Sequence, residues 1–99
     1  MSATVTNWTG SPPSPDELER LFAQEGLPPH WWANAPGDTY GWHSHPYHKV
    51  LYCGAGSITF HTRDEDLELK AGDRLDIAPG VEHSATVGED GCRCIEAQR

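Results

Sequence analysis

Six histidines occur in the 99-residue chain, and His43, His45, His48 and His61 fall close together in its middle. His43-Ser44-His45 is the arrangement with the clearest chemistry. On a β-strand, residues two apart share a face, with Cα atoms roughly 6.5–7 Å apart. Two imidazoles so placed can converge on one ion at about 2.0–2.1 Å each. The same pair on a solvent-facing strand would make only ordinary hydrogen bonds. A second element lies far along the chain. Gly72-Asp73-Arg74-Leu75-Asp76-Ile77-Ala78-Pro79-Gly80-Val81-Glu82-His83 reads as a turn, a strand, a Pro-Gly corner and a histidine aimed from it. It would place a third imidazole, His83, on a strand able to lie beside the first pair.

Composition limits what these residues can serve. Seven Lys+Arg against fifteen Asp+Glu give a formal net charge of −8, and 36% of residues are hydrophobic. Seven scattered cations make no basic face, so nucleic acid and anionic membrane surfaces are excluded as main partners. No apolar run approaches the roughly 20 residues of a membrane span, and the start lacks a basic-then-apolar leader, so a cytoplasmic location is expected. Three cysteines are an odd number for a disulfide framework and are read as reduced thiols. The length allows one domain with a small core, of the kind commonly supplemented by a metal or a second subunit. A homodimer is expected, paired through the N-terminal arm or an edge strand.

The elements that must position the histidines are mostly strands. Residues 1–13 are a flexible or edge-strand arm, and 14–99 a single domain. Ser14-Pro15-Asp16-Glu17 is a capping box with proline at the first helical position, opening a short helix over 15–25 that Gly26 ends. Leu18, Leu21 and Phe22 form its apolar stripe and cover one end of a sheet. About seven short strands follow, with turns at Pro36-Gly37-Asp38, Gly54-Ala55-Gly56, Arg63 to Asp66, Ala71-Gly72-Asp73, Ala78-Pro79-Gly80 and Gly88 to Gly91. This spacing predicts a sandwich or closed barrel. By alternation 43, 45, 49, 51 and 53 share a face, whereas His48 and Trp42 point away. Cys53, Cys92 and Cys94 are expected as buried or half-buried thiols. His30 and His61 occupy ordinary polar positions. Trp31, Trp32, Tyr40, Trp42 and Tyr47 crowd around the histidine pair, where rings could wall a small dry pocket or fill the core.

The chain resembles a small single-domain cupin over Trp31 to Ala97. The first cupin motif is Gly, five residues, His-x-His, three or four residues, Glu, six residues, Gly. Gly37 meets its start approximately, His43 and His45 match the pair, and Gly56 matches the closing glycine. Lys49 stands where the motif has Glu. The second motif is Gly, five to seven residues, Pro-x-Gly, two residues, His. Gly72, Gly80 and His83 match it, with Pro79 one position tighter than usual. The resemblance implies an all-β jelly-roll barrel, the double-stranded β-helix, with one short N-terminal α-helix. It also implies that His43, His45 and His83 face the interior and hold a divalent transition metal: iron, manganese, nickel or zinc.

Lys49 departs from the motif in chemistry. A carboxylate donates lone pairs, whereas an ammonium has three donors, no acceptor, and repels a cation. Three outcomes stay open: Lys49 turns away, leaving a three-histidine site; it sits in the pocket orienting an anionic substrate or moving a proton; or the metal is lost. Lys49→Glu is expected to raise metal affinity. The functional expectation is a metal-dependent enzyme of dioxygenase or isomerase type acting on a small organic substrate. The alternatives are a non-catalytic module that binds or senses a small molecule or metal, and a structural dimer with a vestigial site.

Overall fold

The computed structural model describes residues 2–99. Seven strands and one helix follow in the order β1 (Ala3–Thr6), α1 (Pro15–Gln24), β2 (His30–Asn34), β3 (Thr39–His43), β4 (Lys49–His61), β5 (Asp66–Lys70), β6 (Arg74–Ile77) and β7 (His83–Gln98). The strands form one antiparallel sheet along β1-β6-β4-β7-β2, with β3 also on β7 and β5 also on β4. The chain therefore has the all-β jelly-roll fold.

Two long strands, β4 and β7, make the frame. The sequence suggests turns at Gly54-Ala55-Gly56 and at Gly88 to Gly91, and neither is a turn. The chain runs on through both as bent strand, with register shifts between Cys53 and Ala55 and between Gly56 and Ile58. The cause is a close crossing. A Cβ on Gly56 would lie 2.0 Å from the Gly91 carbonyl oxygen, and both glycines have positive φ. Glycine permits the two backbones to touch and the sheet to fold over at this corner. Glycines that read as turn signals are here the means of bending a strand.

Alternation along β4 then sorts the side chains. Leu51, Cys53, Ile58 and Phe60 enter the barrel and pack with Leu69, Leu75, Ile77, Ala85, Val87, Cys92 and Cys94. Val50 and Tyr52 point outward, where they meet Ile95, Ala97 and the helix residues Leu18 and Phe22. The helix covers the outer face of the sheet because its apolar positions lie on one stripe. The Phe22 ring meets Tyr52 edge-on at 5.4 Å. At its start the Ser14 hydroxyl accepts from Glu17 N–H, and the Glu17 carboxylate accepts from Ser14 N–H. Ser14→Ala is expected to lower stability by about 1 kcal/mol, readable as a shifted urea midpoint with unchanged slope.

The N-terminal arm is held. β1 pairs with β6, Trp8 N–H donates to Asp73 Oδ1 at 2.9 Å, and the Trp8 ring lies where a Cβ on Gly72 would be. On the outer surface Arg74 joins Glu25, at the end of the helix, to Asp76, and Asp76 accepts from His48. That network anchors the loop between β3 and β4.

Candidate metal centre

β3 and β7 bring the histidines together. His43 and His83 are direct cross-strand partners, with ring centroids 4.3 Å apart. Strand β3 ends at His43, so His45 does not share a regular strand face with it, as the His-x-His spacing suggests. A register shift between Tyr40 and His43 and the irregular backbone after it carry His45 inward instead. The His45 ring lies 4.8 Å from His43 and 5.1 Å from His83. One ligand atom from each of the three falls within 4.8 Å of the others. His43 is exposed, His45 half-buried, and His83 fully buried.

The hydrogen bonds leave one nitrogen of each of two rings free. His43 Nδ1–H donates to the Gly41 carbonyl at 2.6 Å, and His83 Nδ1–H to the Val81 carbonyl at 2.9 Å. Such bonds fix the tautomer and put the lone pair on Nε2. The buried His83 Nε2 and His45 Nδ1 have no hydrogen-bond partner among the described residues. A buried polar atom without a partner costs about 1–3 kcal/mol, and a metal ion is a group that would satisfy both. Burial, with the nearby Lys49 and His43 charges, holds His45 below its ordinary pKa. Burial outweighs the Val81 bond and lowers His83 as well. Both shifts favour the neutral imidazole, which is the form that ligates. The donor set therefore fits a transition metal.

Lys49 and Glu96 stand next to the triad. Lys49 is buried, and its Nζ lies 3.3 Å from Glu96 Oε1. Trp32 Nε1–H donates to the same oxygen at 2.7 Å. Glu96 Oε2 faces His30 Nε2 at 4.0 Å. So Lys49 lies inside, and the chain does carry a carboxylate here, on β7 rather than at the β4 position. Held by Trp32 and Lys49, Glu96 is not among the residues that converge with the triad. Sequence reasoning missed it, although alternation gave a signal: Glu96 continues the inward series Cys92, Cys94. His30, read as an ordinary polar position, lies at the cavity rim. That cavity, of about 360 Å³, is lined by His43, His45, Lys49, Glu96 and the rings of Trp32, Tyr40 and Phe60, among others.

The remaining candidates lie elsewhere. His48 is outside, on Asp76, and His61 bonds Asp66 and Thr86. Trp42 is exposed, with the Arg63 guanidinium 3.8 Å from its ring centre. Trp31 points outward and donates to Glu19. Cys53, Cys92 and Cys94 are free and buried. β4 sets Cys53 opposite Cys94. Contact with Cys53 and burial push the Cys94 thiol up, and burial raises Cys92, so these two stay protonated and poorly nucleophilic.

The sequence model of the cupin domain matches residues 30–97. Among curated proteins none matches the sequence. A cupin-2 domain containing protein from Shewanella frigidimarina is 24% identical, with a TM-score of 0.63 over 74% of this chain and 71% of its own. A DUF861 family protein from Thermotoga maritima is 15% identical, with a TM-score of 0.65 over 99% and 100% of the two chains. A DMSP lyase from Ruegeria pomeroyi is 20% identical, with a TM-score of 0.67 over 74% of this chain and 38% of its own. At these identities the likeness is one of fold.

Proposed function

Because this chain belongs to the cupin domain family, we propose that it is a small metal-binding cupin whose cavity takes a small organic molecule. His43, His45 and His83 would hold a divalent transition metal: iron, manganese, nickel or zinc. The observation that carries this reading is the pair of partnerless buried nitrogens, His45 Nδ1 and His83 Nε2, on two of three histidines whose ligand atoms lie within 4.8 Å of one another. The metal would supply Lewis acidity, or dioxygen activation if it is iron. The chain's own residues do the rest. His43 is oriented by the Gly41 carbonyl and His83 by the Val81 carbonyl. Trp32, Tyr40 and Phe60 give the cavity its aromatic lining. Lys49 orients the ligand or moves a proton at Nζ. As an enzyme it would be of the dioxygenase or isomerase type.

The Lys49–Glu96 pair also supports a second reading, a non-catalytic binding or sensing module, because it occupies the two groups best suited to proton transfer. Dioxygen uptake, or turnover across a panel of small acids and sugars, separates the two. A cytoplasmic location and a homodimer paired along the β1 edge belong to the same proposal. No helix among the described residues is long and apolar enough to cross a membrane, and the charge of −8 favours small-molecule over nucleic-acid partners.

The test is metal titration of protein purified without added metal. One equivalent per chain is expected, with tighter binding in Lys49→Glu, where an ammonium beside the triad is exchanged for a carboxylate. No binding by the wild-type chain overturns the proposal. Weaker binding by Lys49→Glu would show that Lys49 supports the site.

A further inference from the structure

The cavity has one Lys or Arg among its lining residues, Lys49, and one carboxylate, Glu96. Their capacities differ. Glu96 Oε1 already accepts from Trp32 and faces Lys49, while Oε2 faces His30. Lys49 Nζ has three donors, and Glu96 is its one ion-pair partner among the described residues. Two N–H donors are thus uncommitted on a nearly buried ammonium. An approaching molecule meets an unfilled donor set and a filled acceptor. Between these polar groups the lining is aromatic: Trp32 and Tyr40 meet edge-on at 5.8 Å, and the Phe60 ring centre lies 6.3 Å from that of His83. The cavity is near the lower end of ligand-pocket sizes.

We propose that Lys49, set in place by the Trp32–Glu96 clamp, is the anion-recognition group of this cavity, and that the ligand is a small carboxylate with a flat apolar body. The proposal rests on the cavity being the ligand site of the function above. A phosphate fits poorly, since its charge calls for several convergent cations or backbone donors, and one ammonium is present. A cationic ligand would find its carboxylate already engaged. Lys49 would act on the carboxylate through its own charge and N–H donors, so recognition survives metal removal. That separates this proposal from metal binding itself.

The test uses benzoate, benzamide, benzylamine and inorganic phosphate as probes, read by calorimetry on chelator-treated and metal-loaded protein, with metal content measured in parallel. Benzoate is expected to bind both forms, at least about tenfold more tightly than benzamide. Benzylamine and phosphate are expected to be weaker still. Lys49→Met should lose about tenfold or more in benzoate affinity, and Lys49→Arg should recover part of it. Glu96→Gln keeps the Oε1 acceptor that meets both Trp32 and Lys49 and removes the competing charge, so it should bind benzoate more tightly. Should Lys49→Met fail to fold, Glu96→Gln carries the test alone. Equal binding of benzoate and benzylamine, equal binding of phosphate, unchanged affinity in Lys49→Met, or weaker affinity in Glu96→Gln would each overturn the proposal. A chain that takes up no metal yet binds benzoate through Lys49 would overturn the metal site and leave this inference standing.

Discussion

His83→Ala is expected to abolish metal binding and to destabilise the metal-loaded protein more than the metal-free one. The side chain is fully buried and its Nε2 has no partner. Its removal therefore costs packing and the hydrogen bond to the Val81 carbonyl, offset in part by relief of an unsatisfied polar atom. In the metal-loaded protein nothing offsets the loss. Removing a group that merely orients a ligand costs roughly 10–100-fold in affinity, so loss of the ligand itself should exceed a hundredfold. A metal present at about 100 times its Kd stabilises the parent by about 2.7 kcal/mol. That increment should disappear in His83→Ala. Melting curves of both proteins with and without chelator check this. Equal destabilisation of the two forms would mark His83 as a packing residue and end the metal reading.

The second large effect concerns the ion pair. Glu96→Leu is expected to cost about 3 kcal/mol, because it leaves the Lys49 ammonium uncompensated in the cavity and takes the acceptor from Trp32. For a chain of this length that corresponds to a fall in Tm of roughly 12–24 °C. The double variant Lys49→Met with Glu96→Leu should regain most of it, since a buried pair replaced by apolar groups is often neutral or stabilising. Equilibrium unfolding of the two single variants and the double variant forms the cycle. A double variant as unstable as Glu96→Leu would show that the coupling runs through Trp32 and not through Lys49.

Local signals were legible where they have one physical outcome. Ser14, Pro15 and Glu17 define a helix start because their side chains satisfy backbone groups only there. The alternation of Lys49, Leu51 and Cys53 against Val50 and Tyr52 reads directly as an inner and an outer face. Glycine was ambiguous because freedom at φ serves a turn and a strand crossing equally, and only the Gly56–Gly91 approach decides between them. At the site, the histidines could be picked out by their spacing. Glu96 was passed over although it alternates in phase with Cys92 and Cys94, because a charge on a last strand reads as a solvated edge until β7 is known to pair with β4. His45 came inward by irregular backbone that no strand periodicity describes.

The three imidazoles differ sharply in contact with solvent, from exposed His43 through half-covered His45 to enclosed His83. In the proposed centre this grading fixes a direction of traffic. An incoming ion would meet the outer pair first and lose its last waters only on reaching His83. A chelator would work in reverse and find the innermost bond the slowest to break, so capture and release should each proceed in two kinetic phases.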